Sequence, residues 1–92
     1  MKKIYKYLLL ATDFQNLELP KGSKIISVIE LYDGMVLYAI VDTDTTETEL
    51  YDIAVKGTGH PFPEKLDTYT FLGSVKLMNG SLVFHVFYKK VE

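Results

Sequence analysis

No stretch of this chain places apolar residues at i, i+3, i+4 and i+7 over the length of a helix. The apolar residues come in short runs rich in Val, Ile, Tyr and Phe, each closed by turn-forming residues. That pattern restricts the chain to an all-β fold. Strands are expected at Ile4–Leu10, Phe14–Leu19, Lys24–Tyr32, Met35–Val41, Thr48–Lys56, Tyr69–Met78 and Ser81–Tyr88. Pro20-Lys21-Gly22-Ser23 reads as a turn, with Asp33-Gly34 and Asn79-Gly80 as tight hairpin connections. Gly73, inside a strand pattern, predicts a bulge or bend. Glu64–Thr68 is the one segment expected to form a short helical turn. Ninety-two residues make a single domain, here a small antiparallel sandwich or partly open barrel of about seven strands.

Three of these strands are apolar on both faces: Ile25–Ile29, Val36–Val41 and Leu82–Phe87. A sheet with one solvated face alternates, so such strands need cover on both sides. A chain this short buries only roughly 60–65% of its unfolded surface. Yet 48% of its residues are hydrophobic and 13% aromatic. A homo-oligomer is the simplest way to cover the excess.

Charge excludes several partners. All ten cations are lysines, five of them at the ends: Lys2, Lys3, Lys6, Lys89 and Lys90. Between Tyr7 and Tyr88, eleven acids face five lysines. A chain without arginine and with an acidic middle is poorly suited to duplex nucleic acid. The terminal lysines read as solubilising ends on apolar strands. No cysteine is present, so neither disulfides nor thiolate metal sites arise, in keeping with a reducing cytoplasm. No apolar run approaches the ~20 residues that span a bilayer, and no membrane partner is expected. Met1–Leu10 lacks the cleavage signal of a leader. Asp42-Thr43-Asp44-Thr45-Thr46-Glu47 lacks the glycine and closing glutamate of a calcium loop at their spacing, and reads as a solvated loop.

Chain-bending and chemical residues coincide at Lys56-Gly57-Thr58-Gly59-His60-Pro61-Phe62-Pro63. Gly57 and Gly59 allow positive φ and close approach of a ligand to the backbone. Thr58 adds a hydroxyl and His60 an imidazole. Lys56 adds a point charge. Pro61 and Pro63 hold the residues before them extended, so the loop should be stiff. Such a loop can offer N–H groups to an anion such as phosphate. Thr12, Asp13 and Gln15 form a second polar interruption, able to read the edge of a base. Seven tyrosines and five phenylalanines supply flat faces, most of them engaged in ordinary strand packing.

Catalysis requires more than this. His60 and His85 are the only histidines, and no spacing with Asp13, Asp42, Asp52, Asp67, Ser27, Ser74 or Ser81 marks a triad or metal cluster. His85 lies between Phe84 and Val86 and reads as a hydrogen-bonded, partly buried or interface residue.

Four segments together resemble a family of short phage and prophage proteins: Thr12-Asp13-Phe14-Gln15, Leu19–Val28, Gly57-Thr58-Gly59-His60-Pro61 and Val83-Phe84-His85-Val86-Phe87. The resemblance implies a phage-encoded protein in the cytoplasm of an infected bacterium, and assigns no activity. The resulting expectation is a non-enzymatic, sponge-like protein without cofactor, which sequesters a nucleotide-type immune signal of the host. Its ligand residues are expected to be Thr12, Asp13, Gln15, Lys56, Gly57, Thr58, Gly59 and His60. The alternative is a protein–protein inhibitor or small structural protein that needs no small-molecule ligand.

Overall fold

The computed structural model describes residues 1–32 and 34–91. Seven strands build it: β1 (Lys2–Leu9), β2 (Phe14–Pro20), β3 (Lys24–Leu31), β4 (Gly34–Asp42), β5 (Thr48–Gly57), β6 (Thr70–Leu77) and β7 (Leu82–Val91). All pairings are antiparallel. They form two separate sheets, ordered β1-β4-β3 and β2-β5-β7-β6. No strand is shared between sheets, so the fold is a sandwich and not a barrel. Among the described residues no helix is long and apolar enough to cross a membrane.

Alternation builds the core. Met35, Leu37, Ala39 and Val41 of β4 point inward, and Tyr51, Ile53 and Val55 of β5 meet them from the other sheet. Val86, Val75, Ile25, Val28, Leu9 and Leu19 complete the layer. Leu19, Leu37, Ile53 and Val86 are fully buried, each worth about 1.5–3 kcal/mol relative to exposure. Val86 thus belongs to the core. The outer side of β7 is occupied by Phe87, whose ring packs 5.3 Å from Phe71.

Sequence signals locate the connections better than their details. At Asn79-Gly80 the chain turns as expected, but through four residues, with Leu77 paired to Leu82. Met78 and Asn79 both take positive φ there, at 51° and 57°. The Asp33-Gly34 turn falls partly on Asp33, outside the described residues. Gly34 is not a turn residue: it opens β4 and pairs with Leu31. Pairing of Val28 with Leu37 and of Ile29 with Val36 sets that register, and the connection follows it.

The helical turn expected at Glu64–Thr68 does not form; Tyr69 N–H donates to Leu66 O in a single turn. Its flanks are tied to different points on β5, Glu64 to Lys56 and Tyr69 to Asp52. Four strand residues span about 13 Å, whereas five helical ones rise only about 7.5 Å. The segment is therefore stretched along the outer side of β5. In the loop after β4, the Met1 ammonium pairs with Asp42 and Asp44. The Asp44 backbone N–H and then that ammonium hold the Asp42 carboxyl below its ordinary range.

Candidate functional site

The polar stretches singled out above converge on the outer side and one end of the four-stranded sheet, where they divide into three groups with different roles. The first is the turn between β1 and β2. Gln15 spends both ends of its amide on Leu10: Leu10 N–H donates to Oε1 at 3.0 Å, and Nε2 donates to Leu10 O at 2.6 Å. Thr12 Oγ1 accepts from Gln15 Nε2 at 3.3 Å and donates to Phe14 O at 3.2 Å. These side chains replace the backbone bonds that a short turn cannot make.

The second group surrounds Lys56. Alternation along β5 sends Asp52, Ala54 and Lys56 outward, away from Tyr51, Ile53 and Val55. The loop after β5 then folds back over them, leaving Lys56 only 5% exposed. Its ammonium lies 4.3 Å from the Phe14 ring centroid and 5.0 Å from that of Phe62. It stands 3.5 Å from Glu64 Oε1 and 3.7 Å from Asp13 Oδ1. A buried ammonium needs such compensation, and two rings with two carboxylates supply it. Asp13 and Lys56, forty-three positions apart in sequence, are therefore neighbours; Val55 N–H also donates to Asp13 O. The charge of Lys56 fastens the loop and the β1–β2 turn to β5.

The third group is Gly57, Thr58, Gly59 and His60. His60 N–H donates to Gly57 O at 3.1 Å, closing a tight turn in which Gly59 takes φ +80°. A turn with this bond and positive φ at its third position is of type II and favours glycine there. Gly57 is needed for a different reason: the His60 ring lies against its Cα, with Nδ1 2.5 Å from where a Cβ would be.

Beside this turn, His85 of β7 is held through both ring nitrogens. Thr58 Oγ1 lies 2.7 Å from Nε2, and Ser74 Oγ lies 2.7 Å from Nδ1. A neutral imidazole carries one N–H, so one hydroxyl donates to the ring and the other accepts from it. Ser74 reaches His85 because of the bulge near Gly73. Phe71 pairs with Phe87, but Gly73 pairs with Val86, so the register advances by one and places Ser74 opposite His85. The sequence marks the bulge but not this consequence.

Gly57, Thr58, His60, Ser81 and Phe84 line a cavity of about 280 Å³. Among the described residues, the His60 ring nitrogens make no hydrogen bond. Ser81 Oγ donates to Met78 O. Thr12, Asp13, Gln15, Lys56 and Gly59 do not line this cavity. A wider groove of about 760 Å³ lies at the other end of the strands, between Tyr51, Tyr88, Thr70, Lys89 and Lys90. There Lys90 pairs with Glu49 at 3.0 Å and Lys89 lies 4.8 Å over the Tyr69 ring, so both charges are engaged. Among the described residues no cluster of His, Asp and Glu has the form of a metal site.

Neither the curated proteins nor the solved structures include a match to this chain. A family model described as a domain of unknown function, DUF7352, matches residues 1–92, and the chain belongs to that family.

Proposed function

We propose that this chain is a non-enzymatic binding protein whose cavity at Gly57–His60 takes a small, ring-bearing polar ligand of nucleotide type. One observation carries the reading: the exposed His60 imidazole, which has no hydrogen-bond partner among the described residues, borders a cavity built on a glycine-containing turn. His60 can donate or accept at the polar edge of a ring, and Phe84 can pack on its face. A volume of about 280 Å³ suits a single base or ribose, lying at the lower end of ligand sites. In an infected bacterium, the setting implied by the phage resemblance, such a protein would act by holding a nucleotide signal intact. Lys56 serves this reading as the fastening of the loop and not as a ligand contact.

A thermal-shift panel of cyclic and linear nucleotides tests the reading. The expected result is one ligand that raises the melting temperature, that His60→Ala no longer binds, and that is recovered unaltered after heat denaturation. A panel without any shift, or recovery of a converted product, would overturn it.

A second reading, an interaction protein without a small-molecule ligand, is favoured by the uncovered apolar side of the three-stranded sheet. Leu8 there is 70% exposed and Ile4 59%.

A further inference from the structure

Among the described residues, no lysine, aspartate or glutamate lines the cavity at Gly57–His60. Its volume of about 280 Å³ takes a base or a ribose, so the phosphate of a nucleotide has to lie outside it. Strand register shows what stands beside the opening. Thr58 N–H donates to Val83 O at 3.1 Å, and Lys76 pairs with Val83 from the other side. Thr58, Val83 and Lys76 therefore form one row across the sheet, and Lys56, His85 and Ser74 form the next. Val75 and Val86 belong to the core, so alternation turns Ser74, Lys76, Val83 and His85 to the outer side. Thr58 and Val83 also line the cavity, which makes row and cavity continuous.

We infer that Lys76 and Thr58 hold the phosphate of the ligand over Val83. This rests on the nucleotide reading above and adds an anion subsite to it. Neighbouring strands lie about 4.8 Å apart, so Thr58 and Lys76 stand roughly 10 Å from each other across Val83. That is too far for a direct bond, but one phosphate between them meets both the hydroxyl and the ammonium. Lys76 is exposed and forms no ion pair among the described residues, so its charge is at hand on a flexible stem. Lys56, in the next row, is taken up by Glu64 and Asp13.

His85 supplies the missing donor. Thr58 Oγ1 and Ser74 Oγ each lie 2.7 Å from one of its ring nitrogens. The neutral ring carries a single N–H, so one hydroxyl donates to it and the other accepts from it. Whichever accepts keeps its own O–H for a further partner. An anion beside Thr58 selects the arrangement in which Ser74 donates to Nδ1, Nε2–H donates to Thr58, and the Thr58 O–H points at the phosphate. A charged acceptor makes that bond and the one from Lys76 stronger than neutral ones.

Inorganic phosphate in chloride buffer is the first probe, followed by amide and imidazole NMR. Saturable shifts are expected at the Thr58 and Lys76 amides and at the His85 ring. Lys76→Gln, at an exposed position, should melt like the parent and bind phosphate at least about tenfold more weakly, the worth of one charge-assisted bond. Thr58→Val should also weaken binding, and Thr58→Ser, which keeps the hydroxyl, should not. Lys24→Gln, on the other sheet, should bind as the parent does. The common nucleosides and their monophosphates are the second probe. The monophosphate that binds should move both His60 and Lys76, and Lys76→Gln should bring its affinity down to that of its nucleoside. Phosphate shifts spread evenly over the lysines of both sheets, or Lys76→Gln binding as the parent does, would overturn the subsite, even if a nucleoside still moves His60. Phosphate binding that depends on Lys76 while no nucleoside or nucleotide moves His60 would uphold the subsite and overturn the nucleotide reading instead.

Discussion

The His60 imidazole occupies the space that a side chain at Gly57 would need: a Cβ there would lie 2.5 Å from Nδ1 and 2.9 Å from Cε1. Gly57 itself has no positive φ, so alanine fits the backbone and only the ring must move. Gly57→Ala should therefore change stability by less than about 1 kcal/mol, the scale of a glycine replaced without strain. It should shift the His60 ring resonances and weaken the ligand found by the nucleotide panel at least about tenfold, the worth of ~1.4 kcal/mol. Gly59→Ala should behave differently, costing about 1–2 kcal/mol because its φ of +80° penalises a Cβ. Urea unfolding and histidine NMR separate the two. Unmoved His60 resonances in Gly57→Ala would remove the contact.

Lys56 is the chain's one buried charged residue among those described. Removing it leaves the Glu64 and Asp13 carboxylates without their cation and empties the gap between two rings. Lys56→Ala should destabilise by about 3–5 kcal/mol, as for one broken partner of a buried pair. Replacing both partners by uncharged groups of similar shape relieves the orphaned charge. The double variant Lys56→Met/Glu64→Gln should therefore lose less than the sum of its single changes, a coupling that chemical denaturation reads directly. Full additivity would show that the 3.5 Å pair contributes nothing.

Strand order along the chain is legible because each strand is a short run rich in β-branched and aromatic residues, closed by its own turn residues. The division into strands before and after Gly57–His60 needed no tertiary knowledge. What local pattern could not supply was who meets whom. Lys56 looked like a free point charge because its partners, Phe62 and Glu64, arrive on a loop whose path is set by contacts across the sheet. Gln15 looked like a reader of bases because its bonds to Leu10 exist only once the β1–β2 turn has closed. The two-faced apolar pattern of β7 suggested an exposed interface there. On β7, Val86 is buried in the core, and the outer Phe87 packs on Phe71, which is itself 56% exposed. On β3 the outward Ile26 and Ile29 remain exposed, whereas Val36 on β4 is buried.

The bond from Ser74 to His85 exists because the bulge advances the β6 register by one residue. Ser74→Ala and Thr58→Val should each cost about 1 kcal/mol, the net worth of a hydrogen bond to a partly buried group. Their effects should not add, because both hydroxyls bind one ring and share its single N–H. Deleting Leu72, the extra residue of the bulge, leaves Gly73 opposite Val86 and Ser74 opposite His85 and removes a side chain packed against the core, so the protein should be less stable while His85 keeps its bond to Ser74. Denaturation midpoints of the single variants and of Ser74→Ala/Thr58→Val check this. Full additivity would show that the two hydroxyls do not share the ring.

Alkaline pH offers the last test, through Tyr69. Its hydroxyl donates to Asp52 Oδ2, and its ring packs near Phe14 at 6.3 Å. Burial first, and then the bond to Asp52, push its phenol from the ordinary 10.0 up to about 12. Between these values the unfolded chain has released the proton and the folded chain retains it. Fewer protons are then bound in the unfolded state, so stability falls as pH rises. The contribution is fully present below pH 10, and is lost as pH passes through about 12. Tyr69→Phe lacks the hydroxyl and should be less stable than the parent at neutral pH. The difference between the two proteins should narrow steadily above pH 10 as the parent loses its advantage. Taking the difference cancels the other tyrosines and the lysines, which titrate in both. A gap that stays constant to pH 12 would mean that the Tyr69–Asp52 bond does not hold the loop to β5.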